Sequence, residues 1–269
     1  MVQPHTPMSM VYGPVQSWRF GRSLGIDPIG TTSVCSYNCV YCQLGHIERL
    51  QSDRQCFVPT EQIHQDLLAF APWDVDAITL SGSGEPTLAL NLGEIITMAQ
   101  QVTQRPVGVL TNGSLLSDPQ VQHDLGQADA VAVKLDAVQP TLWGRINRPV
   151  APASLPELWD GIQTFRQSYK GHLAIQTMVL SPWDEASQAT YVQLMKAIAP
   201  DEIQINTPTR AQPDRHVLSA RGNAPNYSPS DSLRRFKFVS FDVLRQMSDR
   251  IQAATQIPTR CPEPDLLTR

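Results

Sequence analysis

Between residues 59 and 251, short apolar runs alternate with longer amphipathic patterns, and no other feature of this chain restricts its fold as tightly. Pro59-Thr60-Glu61 opens a helix through Phe70, with Ile63, Leu67, Leu68 and Phe70 on its apolar face. Ala77–Leu80 has the length of a buried strand and ends at Ser81-Gly82. A helix is expected over Leu92–Val102, then a strand over Val107–Leu110 ending in Thr111-Asn112-Gly113. A helix near Pro119–Leu125 leads into the strand Ala130–Leu135. The alternation continues as helix Leu155–Phe165, strand Leu173–Leu180, helix Asp184–Ile198 capped by Asp184, and strand Glu202–Ile205. Phe241, Leu244, Met247 and Ile251 mark a last amphipathic helix. Strands that alternate with helices build parallel βα units. With a first strand near Ser23–Asp27 there are six strands, so the fold class is α/β, and periodicity alone leaves a barrel and a doubly wound open sheet both possible.

At 269 residues, with 41% hydrophobic and 17% charged residues, the chain is expected to form a single domain over 1–269. Residues 1–22 read as an N-terminal extension and 257–269 as a C-terminal tail. The stretch 207–232 breaks the alternation with Pro208, Pro213, Gly222, Pro225 and Pro229. Loops of this length are commonly functional, and its place after the last strand sets it over the C-terminal strand ends, as a lid or as a surface excursion. The net charge of -4 and a pI of about 5.8 give no overall basic field for nucleic acid. The N-terminal sequence lacks a leader's charged and apolar regions, and no apolar run reaches the roughly 18 residues of a membrane span. A cytoplasmic protein is expected, where thiols stay reduced.

Cys35, Cys39 and Cys42 stand in Cys-Ser-Tyr-Asn-Cys-Val-Tyr-Cys, a C-x3-C-x2-C spacing with Tyr41 before the last cysteine. Three thiolates are one fewer than the four that close a structural zinc or iron–sulfur site. A loop rich in Ser, Tyr and Asn is a poor core segment. Zinc with a fourth ligand from His46 or Cys56 is an alternative, although no second C-x2-C completes a ribbon. Five cysteines are too few and too odd a count for a disulfide framework.

This cysteine run resembles the cluster loop of the radical S-adenosylmethionine (radical SAM) superfamily. The resemblance implies a partial (β/α)6 TIM-like barrel, with chemistry at the C-terminal ends of its strands, where the loops of such barrels converge. It also implies a [4Fe-4S] cluster on Cys35, Cys39 and Cys42, with S-adenosyl-L-methionine on the iron that no cysteine holds. Ser83-Gly84-Glu85-Pro86 looks like the superfamily's Gly-Gly-Glu motif, with Ser83 in place of the first glycine. Thr111-Asn112 and Lys134-Leu135-Asp136 end strands as polar cofactor contacts do in related enzymes. Tyr41, Ser83, Gly84, Glu85, Thr111, Asn112, Lys134 and Asp136 are therefore the expected cofactor-binding residues.

Gly13-Pro14-Val15, Gly21-Arg22-Ser23-Leu24-Gly25, Cys42-Gln43-Leu44-Gly45, Ile146-Asn147-Arg148-Pro149 and Asn206-Thr207-Pro208-Thr209-Arg210 resemble a short single-domain group allied to wybutosine-synthase-like Fe-S oxidoreductases. The expected activity is an oxidoreductase-type reductive cleavage of S-adenosylmethionine that starts radical chemistry, fed by an external one-electron donor of flavodoxin or ferredoxin type. Cys56 and Cys261, the other cysteines, do not precede the loop, so the second cluster of tRNA-modifying relatives is not expected. Arg145, Arg148 and Arg210 are candidates for an anionic substrate, because guanidinium forks pair with carboxylate and phosphate. With Arg215 and Arg221 they would form the basic face of the alternative, a tRNA-modifying enzyme; a non-catalytic electron carrier or redox sensor is the other.

Overall fold

The computed structural model describes residues 9–150, 153–223, 225–237 and 239–263. Residues 1–8 of the expected extension and 264–269 of the expected tail lie outside the described residues. The chain begins with β1 (Val11–Ser17) and β2 (Gly21–Ile26), then two short strands in the cysteine loop, β3 (Val34–Cys35) and β4 (Arg49–Leu50). There follow α1 (Thr60–Leu68), β5 (Ala77–Leu80), α2 (Leu92–Thr103), β6 (Val107–Thr111), α3 (Pro119–Leu125) and β7 (Ala130–Lys134). The second half carries α4 (Pro140–Asn147), α5 (Leu155–Ser168), β8 (His172–Met178), α6 (Glu185–Ile198) and β9 (Glu202–Asn206). Last come β10 (Gln212–Pro213), β11 (Leu233–Arg234), α7 (Phe241–Thr255) and β12 (Thr259–Arg260).

One eight-stranded sheet has the order β1-β2-β5-β6-β7-β8-β9-β12, parallel throughout except for the β1–β2 pair. It curls into the half-barrel that the resemblance implied, and the open-sheet alternative falls. The six anticipated strands all form. The additions are β12, within the anticipated tail, and β1, within the anticipated extension. Gly13 and Pro14 interrupt the β1 pattern at a register shift, and proline is tolerated in a strand at such an edge position.

Side chains alternate across the strands. Ile78, Leu80, Val107, Val109, Val131, Val133, Leu173, Ile175, Ile203 and Ile205 are fully buried against the helices. The other face is concave, with Gly25, Thr79, Gly108 and Ala130 in one row and Ala132, Ala174 and Glu202 in the next. Glycine has a steric reason there: a β-carbon on Gly25 would lie 2.2 Å from the Tyr12 ring, and one on Gly108 3.1 Å from Phe20. Helix ends follow their sequence signals. Ser154 and Glu157 form a capping box on α5, and Asp184 caps α6 through the Ser187 N–H. Among the described residues no helix is long and apolar enough to cross a membrane.

At the C-terminal end of β2, Asp27 is fully buried and accepts from five donors. These are the N–H groups of Ile29 (3.0 Å), Gly30 (3.1 Å) and Ser83 (2.9 Å), the Ser83 hydroxyl (2.7 Å) and the Arg221 guanidinium (2.7 Å). A side chain on Gly82 would collide with this carboxylate. Arg221 comes from the 207–232 stretch and also lies over the Tyr12 ring, at 4.7 Å. Asp27→Ala would leave Arg221 buried without its counter-ion and should destabilise the fold by about 3–5 kcal/mol. Asp74→Ala, which removes the mostly exposed partner of Arg22, should leave stability unchanged within error. Urea denaturation of the two variants checks this, and an Asp27→Ala protein as stable as the parent would contradict it.

Candidate functional site

The three cysteines lie on the loop between β2 and α1, half-buried, and backbone hydrogen bonds fix that loop over the strand ends. The Val34 N–H donates to the Ser83 carbonyl, and the Val34 carbonyl accepts from the Glu85 N–H, each at 3.0 Å. Gly84 sits inside this stitch, where a β-carbon would lie 1.6 Å from the Val34 carbonyl oxygen. The other side of the loop rests on the C-terminal end of α4, whose last carbonyls lack helical partners. There the Asn38 N–H donates to the Asn147 and Arg148 carbonyls (3.1 Å each) and the Val40 N–H to the Ile146 carbonyl (2.9 Å).

Strand ends supply N–H donors to the sulfurs. Asn112 Nδ2 lies 3.6 Å from Cys35 Sγ and 2.8 Å from Ser36 Oγ. Lys134 Nζ lies 3.0 Å from Cys39 Sγ and 2.8 Å from Asp136 Oδ2, and it also donates to the Tyr41 hydroxyl. Asn147 Nδ2 lies 3.6 Å from Cys39 Sγ and donates to Asp136 Oδ2 at 2.7 Å. Tyr41 donates to the same oxygen at 2.5 Å, while the Met178 N–H donates to Asp136 Oδ1 at 2.9 Å.

Burial raises the Cys35 thiol well above the ordinary range, reinforced by Glu85 and Cys39. Burial and then Cys39 push Cys42 up to about 11. Burial works to lower Lys134, but Asp136, Cys39 and Tyr41 outweigh it and hold the ammonium protonated. Grouped thiolates are thus unfavourable by themselves, and bound cationic iron together with the N–H donors would offset that cost. Among the described residues no three His, Cys, Asp or Glu side chains converge as a single-ion site. A cube places its thiolates on separate irons and needs no such convergence. The donor set fits a thiolate-held cluster.

The other expected cofactor residues have protein partners. The Ser83 hydroxyl and N–H both go to Asp27, and its carbonyl goes to Val34. Glu85 Oε1 accepts from the Thr87 N–H (3.1 Å) and hydroxyl (2.7 Å) and from the Thr111 hydroxyl (2.6 Å); Oε2 accepts from the Asn112 N–H (2.7 Å). Burial raises the Glu85 carboxyl even against those four bonds. Through Ser83, Gly84, Glu85 and Thr111, the strand ends hold the cysteine loop and Asn112 in place.

Arg145, Arg148 and Arg210 do not share one environment. Arg145 is exposed on α4, and Arg148 is exposed at its C-terminal cap. Arg210 is half-buried and donates to the carbonyls of Gly222 (2.7 Å) and Ala220 (3.5 Å). His46 and Cys56 are exposed, and Cys261 packs on the core. Sequence reasoning missed Asn147 as a site residue. Its signal was a polar residue beside Leu142, Trp143 and Ile146 in a short amphipathic pattern.

The 207–232 stretch packs directly on the cysteine loop. The Val217 N–H donates to the Leu44 carbonyl (2.9 Å), and a β-carbon on Gly45 would lie 2.1 Å from the Arg215 carbonyl oxygen. Leu44, Val217 and Ala220 form an apolar cluster that Cys42 and Tyr227 join. His216 Nδ1 is 3.0 Å from Glu48 Oε2, an oxygen that also accepts from the Ser33 N–H (2.7 Å) and hydroxyl (3.2 Å).

Known proteins resemble this chain in sequence and in fold. The family profile described as the Radical SAM superfamily matches residues 29–191. "UPF0026 protein slr1464" of Synechocystis sp. is 50% identical over 96% of this chain and 97% of its own length. A "Probable GTP 3',8-cyclase" of Saccharolobus islandicus is 33% identical over 48% of this chain and 40% of its own length. In fold, the chain matches Streptococcus suis SuiB, solved bound to S-adenosylmethionine, with a TM-score of 0.60 and 12% identity. That match covers 86% of this chain and 49% of SuiB, so the chain spans about half the length of the solved structure.

The contact between His216 and the cysteine loop yields a pH prediction. Burial lowers the His216 pKa below its ordinary value, with Arg221 acting the same way and Glu48 and Asp27 opposing. A histidine depressed in the folded state stabilises above its unfolded pKa, and that contribution is lost as pH falls through its folded value. Stability should therefore decline as pH drops below about 6.5, and His216→Asn should flatten that part of the profile. Melting temperatures across pH for the two proteins check this; identical profiles would contradict it.

Proposed function

This chain belongs to the radical SAM superfamily, whose members use a [4Fe-4S] cluster and S-adenosylmethionine, and from that premise we propose that Cys35, Cys39 and Cys42 hold the cluster. The protein is a radical SAM enzyme. The observation that carries the proposal is the pinned three-thiol loop, with Asn112, Lys134 and Asn147 aimed at two of its sulfurs. When bound, the cluster would pass one electron to S-adenosylmethionine, splitting its sulfonium carbon–sulfur bond into methionine and a 5′-deoxyadenosyl radical that takes hydrogen from a substrate.

The chain's own residues would then have distinct tasks. Asn112, Lys134 and Asn147 stabilise thiolate charge by donating to sulfur. Lys134, Asp136 and Tyr41 form one hydrogen-bonded group at the strand ends, suited to a ligand carrying both carboxylate and hydroxyl groups. The turn residues Ser83, Gly84 and Glu85, with Thr111, orient the loop. The 207–232 stretch covers the Leu44 side of the loop and restricts water there. The electron would come from an external donor of flavodoxin or ferredoxin type, and the substrate would carry a carboxylate or phosphate. A tRNA substrate has less support. Of the five arginines expected to make a basic face, Arg210 bonds carbonyls, Arg215 pairs with Asp231 and Arg221 with Asp27.

Anaerobically reconstituted protein with dithionite should convert S-adenosylmethionine to 5′-deoxyadenosine and methionine. Replacing Cys35, Cys39 or Cys42 with Ala should abolish iron binding and the cluster's visible absorbance, whereas Cys56→Ala and Cys261→Ala should preserve both. A protein that takes up zinc and no iron, or that needs Cys56 for its cluster, would refute the proposal.

A further inference from the structure

The surroundings of the cysteine loop differ from side to side. At Val34 the loop is stitched to Ser83 and Glu85, and at Leu44 it lies under the 207–232 stretch. Tyr41, Lys134 and Asp136 hold the concave side. The C-terminal end of α4 is different, because it underpins the loop and faces outward. Its carbonyls at Ile146, Asn147 and Arg148 accept from the Val40 and Asn38 N–H groups, while the Arg145 and Arg148 side chains are exposed. Asn147 between them is buried and turns inward, with Nδ2 3.6 Å from Cys39 Sγ. A molecule seated on the two arginines therefore stops one residue short of a cysteine thiol.

This edge is basic in an acidic chain. Asp and Glu outnumber Lys and Arg by 25 to 21. Yet no carboxylate occurs between Pro28 and Ile47 or between Ala137 and Pro156, the two stretches that meet here. Among the described residues, neither Arg145 nor Arg148 has a carboxylate within ion-pair distance; the arginines that pair lie elsewhere. Glu157 is engaged in the α5 capping box. Asp184 and Glu185 stand toward the other end of α4, where Gln139 Nε2 lies 3.3 Å from Ser187 Oγ. Strand β4 also exposes Arg49 and Leu50, but Glu48 and Asp53 beside it are exposed too, so that edge is mixed in sign. Exposed charges add little to stability; their effect is on encounters with a partner of opposite sign.

We infer that the end of α4, through Arg145 and Arg148, is the docking edge for the acidic face of a ferredoxin-type electron donor. The need for a donor rests on the radical SAM proposal above, while the affinity for one is measured without it. Each encounter moves one electron: the iron–sulfur centre of the donor is oxidised and the bound cluster is reduced. Electron-transfer encounters use some of the smallest specific interfaces, so one helix end and the adjoining loop supply enough surface. Opposite charge speeds and orients such an encounter. The two arginines thereby serve the donor and not the substrate.

Anaerobic, cluster-loaded protein is titrated calorimetrically with an oxidised plant-type [2Fe-2S] ferredoxin. At about 0.01 M ionic strength, where charges act over roughly 30 Å, Arg145→Glu/Arg148→Glu should weaken binding about tenfold or more. The deficit should shrink as salt is raised. The same variant should cleave S-adenosylmethionine at the wild-type rate with dithionite, which needs no docking, and severalfold more slowly with reduced ferredoxin. Should charge reversal at a helix C-terminus prevent accumulation, Arg145→Gln/Arg148→Gln removes the charges alone and should show an intermediate loss. Arg49→Glu should bind as wild type does. No binding by wild type, undiminished binding by the α4 variants, or an equal loss in Arg49→Glu would overturn the inference. So would equal slowing with dithionite, or binding of a flavodoxin in place of the ferredoxin. Loaded wild type that fails to cleave S-adenosylmethionine with dithionite would sink the radical SAM proposal and leave the ferredoxin affinity to be judged by itself.

Discussion

The buried Asp27 carboxylate is the interaction on which this structure depends. An unpaired charge in that position would be prohibitively costly, so five donors from three parts of the chain surround it. Ile29 and Gly30 turn the chain from β2 into the cysteine loop, and Ser83 presents the turn after β5. Arg221 brings in the stretch that covers the loop. The same turn, through Ser83 and Glu85, pairs with Val34 at the start of the cysteine segment. Removing the one carboxylate would therefore loosen the loop and its cover together. The position of the thiols is set by a polar cluster that need not touch them.

Much of this was legible in the sequence, for identifiable reasons. The parallel strands read clearly because residues such as Ile78, Val109, Val131 and Ile203 are packed under helices and so form dense apolar runs. The cysteine spacing was legible because chemistry fixes it locally. What escaped had weak local signals or depended on distant partners. In α4, Pro140 and Gly144 disguise a helix of eight residues, and with it Asn147, which reaches Cys39. The Gly-rich turn was recognised as a motif, but its partners were not readable. Whether Glu85 meets a ligand or meets Thr87, Thr111 and Asn112 depends on how β5 and β6 adjoin. Arg210 shares only its residue type with Arg145 and Arg148: the fold turns it onto the Ala220 and Gly222 carbonyls of its own 207–232 stretch, and they remain on the outside.

The polar interior also explains the unusual composition of the concave strand face. An apolar barrel core would fill with branched side chains. Here glycines and alanines alternate with Gln176, Gln204 and Lys134, and the space is taken from the β1–β2 side by Tyr12 and Phe20. Burial raises the Tyr12 hydroxyl to about 12, so it stays protonated and pairs with Ser81 at 2.6 Å. The hairpin thus supplies the bulk that the strands lack, while the face of β7 and β8 keeps its small residues.

The two margins of the sheet meet through side chains. Arg260 of β12 stacks on Trp18 and donates to its carbonyl, closing one end of the seam. Farther along, the Asn223 carboxamide accepts from the Gln16 N–H (2.7 Å) and donates to the Gln16 carbonyl (3.1 Å), taking the place of a neighbouring strand along β1. An uncovered strand margin is a template for joining another chain. One asparagine amide thereby occupies a backbone donor and a backbone acceptor on the β1 margin that would otherwise be open to another strand.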